Sequence, residues 1–333
     1  MFKEINPNIK AMNHPQYQYK NDYFHITFSS LGATITEWLV KDKQGVFEAI
    51  ALSYEDYLDY QTNEKNLGAH IGPYAGRIYP TQIRLNQKTY SLEKNFLSYA
   101  HLHSGKYNLK YHLYQAKILD ENTLEFQSYI EESKRHLPGD IDIKIRFKII
   151  NNTLEQTYEV TTNKDTYTNF TNHTYFNLSG NFKRTIENHT LQIPAHLVGD
   201  LDDKWLTKSL VGVSHSGFDF RKAKPLGPVL NALKNNVQKG LDHPFLLEQG
   251  TIVLHDPQSH RTLKIQTNQP ALVVYSNNFL TDKKLKHHPF DQPFLAICLE
   301  TQCYPNDMHF MKYPKSFHKA HTVKRQHTRY TFS

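Results

Sequence analysis

The chain has 333 residues, 38% of them hydrophobic and 13% aromatic, which is enough for two ordinary domains or for one large β domain. Its formal net charge is +7 at pH 7, but the basic residues are interleaved with acidic ones rather than gathered in one stripe, so we expect no nucleic-acid partner. The densest apolar run, residues 294–299, is far shorter than the roughly 20 residues that cross a bilayer, so we expect no membrane span.

The start of the chain and its cysteines bear on where the protein acts. The first residues lack the apolar segment and the small-residue cleavage site of a secretory signal, so we expect a cytoplasmic protein. Cys298 and Cys303 are the two cysteines, and a lone close pair without an export signal predicts reduced thiols. The basic, histidine-rich segment 312–329 predicts an exposed surface with a closing strand.

Alternation of apolar and other residues predicts β-strands along most of the chain. Phe24, Ile26 and Phe28 form the first clear example. Further on, isoleucine or phenylalanine occupies every second position of residues 141–149, with charged residues between them. Further candidate strands, punctuated by turn-forming residues, lie at residues 154–160, 263–267 and 271–275.

Helical spacing is confined to short stretches. Leu230, Leu233 and Val237 follow the helical period and predict a helix that stops at Gly240. The chain shows no rhythm of alternating strands and helices, no internal repeat and no linker of biased composition. We therefore predict an all-β protein, in which residues 1–333 form a single large antiparallel β-sandwich domain with a few short helices.

The familiar cofactor and nucleophile motifs are missing from the sequence. It has no phosphate-binding loop, no Rossmann glycines, no G-x-S-x-G elbow and no paired CxxC zinc motif. Its chemistry must therefore come from histidine, acidic residues or arginine. Five segments place such a residue beside glycine, proline or aromatic residues, and they contain Arg77, His103, His173, Asp242 and Glu300.

Two of these segments are specific in sequence, namely Asn-His-Thr-Tyr-Phe-Asn-Leu-Ser-Gly at residues 172–180 and Leu-Glu-Thr-Gln at residues 299–302. With the other three in the same order, they resemble the aldose 1-epimerase (galactose mutarotase) family over about residues 32–310. The resemblance implies a galactose mutarotase-like β-sandwich, a free monosaccharide as substrate, and neither cofactor nor metal. We expect the enzyme to be a monomer or a homodimer.

The resemblance also implies roles for the proton-transfer residues. Anomers interconvert when a base takes the proton of the C1 hydroxyl while an acid protonates the ring oxygen, so that the ring opens and recloses on the other face. The family likeness implies Glu300 as the base and His173 as the acid, facing each other with a pyranose between them. Glu300 ends the strand predicted from the apolar run 294–299, where partial desolvation raises the proton affinity of a carboxylate.

The remaining site residues are assigned by the same resemblance. His103 matches a second histidine of the family site, which binds sugar hydroxyls or shares the acid role. Arg77 matches a sugar-binding arginine, and Asp242 matches a carboxylate that accepts hydrogen bonds from hydroxyls. The chain departs from the family pattern at three positions that bear on the choice of sugar: Pro73, Ser104 and Val273, the last of which stands where many members have glutamine.

Two other classes of function stay open from the sequence. The first is a carbohydrate-binding or regulatory protein that keeps the fold without turnover, although both proton-transfer residues are intact. The second is a metal-dependent enzyme of the cupin kind, because His101-x-His103 with a distant glutamate resembles a set of metal ligands. His101 would point to the same strand face as His103, but we expect it to be an exposed polar residue.

Overall fold

The computed structural model describes residues 1–5, 14–288, 290–312 and 314–333. Within these ranges strands are the dominant element, and none of the helices has the length and apolar character needed to span a membrane. The α-helices are α1 (Gly227–Leu233) and α2 (Asp307–Phe310). Short 3₁₀ turns cover Tyr57–Gln61, Gly105–Tyr107, Leu109–Tyr111, Glu132–Lys134 and Ile186–Asn188.

The strands are numbered in chain order. They are β1 (Phe2–Ile5), β2 (Gln16–Lys20), β3 (Phe24–Ser29), β4 (Ile35–Lys41), β5 (Phe47–Ala49), β6 (His70–Ile71), β7 (Arg77–Ile78), β8 (Gln82–Leu85), β9 (Lys88–Ser91), β10 (His101–Leu102), β11 (Gln115–Asp120), β12 (Thr123–Ile130), β13 (Ile141–Ile150), β14 (Thr153–Thr162), β15 (Thr166–Tyr167), β16 (Thr171–Asn172), β17 (Tyr175–Phe176), β18 (Thr190–Gln192), β19 (Ala195–Leu201), β20 (Thr207–Gly212), β21 (Lys224–Pro225), β22 (Asp242–Leu247), β23 (Ile252–His255), β24 (Thr262–Thr267), β25 (Ala271–Tyr275), β26 (Ile297–Gln302), β27 (Phe317–His318) and β28 (Val323–Phe332).

Three large sheets make up the architecture. One has five strands in the order β1-β2-β3-β4-β5, one has nine in the order β11-β12-β13-β14-β28-β24-β23-β18-β21, and one has six in the order β17-β26-β25-β22-β19-β20. Neighbouring strands in all three are antiparallel. The strand predicted near the C-terminus is confirmed as β28, which lies inside the nine-stranded sheet rather than at its edge.

The nine-stranded sheet packs one face against both of the other large sheets. Phe147 of β13 lies against Phe28 of β3, with ring centroids 4.4 Å apart. Towards the six-stranded sheet, Thr301 of β26 shares a hydrogen bond of 2.7 Å with Thr328 of β28. The predicted antiparallel β-sandwich is therefore confirmed, and the six-stranded sheet keeps one face free for other contacts.

Most of the predicted strands are confirmed, and one helix boundary is wrong. Along β13 the five apolar residues of 141–149 are buried, and the charged residues between them are at least partly exposed. The helix predicted from Leu230 to Gly240 ends at Leu233, because the Asn236 N–H donates to the Leu233 carbonyl in a turn and Val237 is exposed. That residues 1–333 form a single domain stays a prediction.

The register of β13 predicts unequal effects of two similar substitutions. Ile145→Ala should lower the free energy of unfolding by about 2–5 kcal/mol, because the side chain is fully buried between sheets. Ile150→Ala on the same strand should change it by no more than about 0.5 kcal/mol, because Ile150 is 42% exposed. Urea unfolding of both variants measures the difference, and equal losses would contradict the register.

Candidate active site

The free face of the six-stranded sheet forms the floor of a cavity of about 300 Å³. Successive side chains of a strand point to opposite faces of the sheet, so Leu299 of β26 packs in the core whereas Glu300 lines the cavity. The register places Glu300 beside Val273 of β25, and Val273 beside Pro244 of β22. On the cavity floor, the neighbour of Glu300 on the next strand is therefore the apolar side chain of Val273.

Segments outside the six-stranded sheet complete the cavity. His173 follows β16, and its N–H donates to the Ala69 carbonyl at 2.8 Å while its own carbonyl accepts from the Gly68 N–H at 3.1 Å. Arg77 begins β7, and His103 follows β10, the strand with which β7 pairs. The structure thus brings all five site residues predicted from the sequence to the lining of one cavity.

His173 and Glu300 meet at the closed end of the cavity. Nε2 of His173 lies 3.5 Å from Oε1 of Glu300, and the two residues are only 5% and 2% exposed. This separation leaves no room for a sugar ring, so the expectation of a pyranose between them is wrong, and both groups instead face the same end of the cavity. Glu300 also lies within β26, which continues to Gln302, and not at its end as predicted.

Burial sets the proton affinity of both groups. It lowers the pKa of His173 to about 3. It raises the pKa of Glu300 well above its usual value, with the nearby Asp242 carboxylate adding to the increase and Arg77 partly offsetting it. Both shifts favour the neutral form of the side chain, because a buried charge loses its hydration. The neutral pair holds one proton more than the pair of neutral imidazole and ionised carboxylate, and one such transferable proton is what an acid and base pair needs.

His103 lies beside this pair, with its ring centroid 5.7 Å from that of His173. The Gly76 N–H donates to Nδ1 of His103 at 3.1 Å, which assigns the proton of a neutral ring to Nε2. Burial, and then the nearby His173, lowers the pKa of His103 well below its usual value. His103 is therefore a neutral imidazole with a defined tautomer.

Arg77 and Asp242 form an ion pair on the cavity wall. Their Nη2 and Oδ2 atoms are 2.7 Å apart, and the side chains are 19% and 10% exposed. The guanidinium also stacks on Phe96, at 4.7 Å from the ring centroid. Nε of Arg77 has no hydrogen-bond acceptor among the described residues. The pair is therefore held in place before a ligand arrives, and both side chains line the cavity that would receive it.

Comparison with known proteins identifies the family. The family model for aldose 1-epimerase matches residues 15–331. The chain belongs to the aldose 1-epimerase family. It is accordingly an isomerase that interconverts the anomers of an aldose.

Individual family members support this assignment. The chain is 30% identical to the aldose 1-epimerase of Haemophilus influenzae over 74% of each chain, and 29% identical to the galactose mutarotase of Sus scrofa over 90% of this chain and 88% of that one. Its fold is similar to that of an aldose epimerase homologue from C. elegans, with a TM-score of 0.86 and 24% identity over 94% and 96% of the two chains. A galactose 1-epimerase structure from Lactobacillus acidophilus gives a TM-score of 0.84 at 24% identity, over 100% and 98%.

Gln302 is a cavity residue that the sequence analysis missed. Its Nε2 lies 3.5 Å from Oε2 of Glu300, and its Oε1 accepts a hydrogen bond from Nδ2 of Asn169 at 3.0 Å. Asn169 therefore orients the amide so that its NH₂ group faces the carboxyl of Glu300. The spacing of two residues along one strand was the signal available, because it places Gln302 and Glu300 on the same face.

The expectation that His101 is exposed is wrong. His101 is 2% exposed, its Nδ1 lies 2.9 Å from the Glu93 carbonyl oxygen, and its ring packs against His136. His103 has a φ of 52°, so strand alternation ends at Leu102 and the two histidines line different pockets. Across the described ranges no group of three or more histidine, cysteine or acidic side chains has metal-binding geometry. The separation of His101 from His103 removes the geometric basis of the cupin-like alternative.

The three departures from the family pattern occupy different places. Val273 lies on the cavity floor. Pro73 and Ser104 instead line a separate, smaller pocket. The Ser104 hydroxyl accepts from the Tyr74 N–H at 2.8 Å and donates to the Tyr74 carbonyl at 3.2 Å, so it supports the backbone of the 72–76 segment. Of the three, Val273 is the residue in position to contact a ligand.

The charges around Glu300 predict how its pKa responds to substitution. Asp242→Asn should lower the pKa of Glu300, because it removes the carboxylate that adds to the increase caused by burial. Arg77→Met should raise it, because it removes the positive charge that offsets burial. NMR titration of the Glu300 carboxyl carbon measures both shifts, with the exposed Glu248→Gln as a control. Shifts in the same direction for both variants would contradict this electrostatic description.

Proposed function

We propose that this enzyme interconverts the α and β anomers of a free aldohexose, with Glu300 as the base and His173 as the acid. The observation that carries the proposal is the 3.5 Å contact between these side chains at the closed end of the cavity. The C1 hydroxyl oxygen and the ring oxygen of a pyranose are bonded to the same carbon. An acid and a base that lie side by side can therefore reach both oxygens at once.

Ring opening needs two proton transfers and no covalent bond to the protein. With Glu300 ionised and His173 protonated, the carboxylate takes the proton of the C1 hydroxyl and the imidazolium protonates the ring oxygen. The bond between C1 and the ring oxygen breaks, which gives the open-chain aldehyde. Both side chains end in the neutral form that burial favours, so desolvation assists this step. After rotation about the C1–C2 bond, the reverse transfers close the ring on the other face.

The other predicted site residues orient the sugar. Asp242 accepts hydrogen bonds from hydroxyl groups, and Arg77, held by Asp242 at 2.7 Å, donates to neighbouring oxygens. His103 carries its proton on Nε2 and donates to the sugar close to the ring of His173. Val273 offers no hydrogen bond, so a hydroxyl that faces it loses hydration without replacement. The preferred aldohexose is therefore one whose stereochemistry directs no hydroxyl group towards Val273.

We also propose that the enzyme acts in the cytoplasm as a monomer or a homodimer. The unpaired and buried thiols of Cys298 and Cys303 are compatible with a reducing compartment. The interleaved basic and acidic residues are compatible with the lack of a nucleic-acid partner.

Removing either proton-transfer group should abolish most of the activity. We expect Glu300→Gln and His173→Asn each to lower kcat for anomerisation by about 10²–10⁴-fold, the range for loss of a general acid or base. Polarimetry of freshly dissolved α-glucose and α-galactose measures the rate, and NMR exchange between the anomers confirms it. Because the acid and base pair works with one shared proton and loses it above the raised pKa of Glu300, activity should fall as the pH rises through that pKa.

The chain contains a matched control for these variants. His196 and Glu248 form a second imidazole–carboxyl contact of 3.5 Å, but their side chains are 55% and 58% exposed. His196→Asn and Glu248→Gln should leave the rate unchanged. Unchanged rates in the Glu300 and His173 variants would overturn the assigned roles. A wild-type protein that binds aldoses without accelerating anomerisation would instead favour a carbohydrate-binding protein.

A further inference from the structure

The thiol of Cys298 contacts the ring nitrogen of His173 that does not face Glu300. Its Sγ lies 3.4 Å from Nδ1 of His173, whereas Nε2 of the same ring faces Oε1 of Glu300 at 3.5 Å. Cys298 and Glu300 are two residues apart on β26, so their side chains point to the same face of the sheet. One strand therefore contacts both ring nitrogens of His173.

Two tyrosines enclose the contact between Cys298 and His173. The register pairs Cys298 with Tyr175 of β17 on one side and with Tyr275 of β25 on the other. The ring centroids of these tyrosines lie 5.0 and 6.1 Å from that of His173. Cys298 is fully buried and forms no disulfide. The sulfur is thus packed against the imidazole in a fixed place that solvent does not reach.

The proposed reaction requires that neutral His173 carry its proton on Nδ1. When the imidazolium protonates the ring oxygen of the sugar, Nε2 gives up its proton and is left with a lone pair. Burial favours the protonated carboxyl of Glu300, which can donate to His173 only if that lone pair is free. A neutral imidazole has one N–H, and the hydrogen bond made by one nitrogen decides which tautomer is present. An acceptor beside Nδ1 therefore prepares Nε2 for proton transfer.

We propose that Cys298 is a positioning residue for His173, whose sulfur accepts a hydrogen bond from Nδ1–H and so leaves Nε2 free to exchange the proton of the reaction. Burial raises the pKa of the Cys298 thiol well above its usual value, so the acceptor is a neutral thiol and not a thiolate. A thiol sulfur is a weak acceptor. It holds the tautomer without stabilising the imidazolium as a carboxylate in the same place would, and the imidazolium stays a strong acid.

This inference rests on the proposed function, because it takes Nε2 of His173 as the acid. It adds a third residue of β26 or its neighbours to the proton-transfer machinery, one that does not touch the sugar. The role differs from that of a reactive cysteine, which needs a lowered pKa and access to solvent. Cys298 has neither.

Kinetics of paired variants test the role of the sulfur. Cys298→Ala removes the acceptor, and Cys298→Ser replaces it by a hydroxyl oxygen that can also accept. We expect kcat for anomerisation of glucose and galactose to fall about tenfold in Cys298→Ala and to stay within about threefold of the wild type in Cys298→Ser, the scale of one hydrogen bond. Cys303→Ala is the matched control, because Cys303 is a second buried free thiol whose Sγ lies near Gln269 and not near His173. It should leave kcat unchanged.

Nitrogen-15 NMR of protein with labelled histidine measures the tautomer without turnover. Burial lowers the pKa of His173 to about 3, so its ring is neutral at pH 7. The signals of His173 are those missing from His173→Asn, and their shifts distinguish a protonated ring nitrogen from a bare one. We expect the proton on Nδ1 in the wild type, in Cys298→Ser and in Cys303→Ala, and a mixture of both tautomers in Cys298→Ala.

The wild-type spectrum alone can overturn the inference, whether or not the variants fold. A proton on Nε2 of neutral His173 would do so. An unchanged tautomer in Cys298→Ala would also overturn it, because the carbonyl of His173 itself, a second acceptor near the ring, would then hold the proton. So would an unchanged kcat in that variant, or an equal loss in Cys303→Ala. Failure of the wild type to anomerise aldoses would instead overturn the proposed function, and the NMR result is independent of turnover.

Discussion

The contact between a carboxyl and an imidazole in a place that excludes water is the constraint on which the rest of this site depends. Glu300 and His173 are both almost completely buried, and burial raises the pKa of one and lowers that of the other. In water at neutral pH the carboxyl would be ionised, and the imidazole would be protonated in about a quarter of the molecules. In the cavity, each charge is costly, so a protonated imidazole is a stronger acid and an ionised carboxyl a stronger base than in solution. Reactivity thus comes from the position of two common side chains.

The antiparallel sheet supplies some of the site residues, and loops that are fixed by backbone hydrogen bonds supply others. On β26, strand alternation turns Glu300 towards the cavity and Leu299 into the core, so the same residues that stabilise the sandwich fix the direction of the base. His173 and His103 lie outside the sheet, where backbone hydrogen bonds to Ala69 and to Gly76 hold them. Substitutions in these distant glycine- and alanine-containing segments would therefore act on the site through the histidines they support.

The sequence predicts the sheets better than it predicts the neighbours of the site. Strand periodicity along 141–149 requires only that one face be buried, and it is confirmed in β13. The site residues were identified because five short segments, in the same order, resemble those of a known family. Periodicity could not reveal the burial of His101, because the left-handed backbone at His103 breaks the alternation that relates the two. The support of Gln302 by Asn169 depends on a contact between residues far apart in the chain, which no local pattern encodes.

In the proposed mechanism, the anomeric end of the sugar lies at the closed end of the cavity, against both proton-transfer groups. A crystal structure of the Glu300→Gln variant with bound galactose tests it most directly, because the variant retains the shape of the site and slows turnover. We predict that the C1 hydroxyl lies within hydrogen-bond distance of residue 300 and that the ring oxygen lies within the same distance of Nε2 of His173. A sugar bound with C1 towards the solvent, and another hydroxyl between these two side chains, would contradict this mechanism.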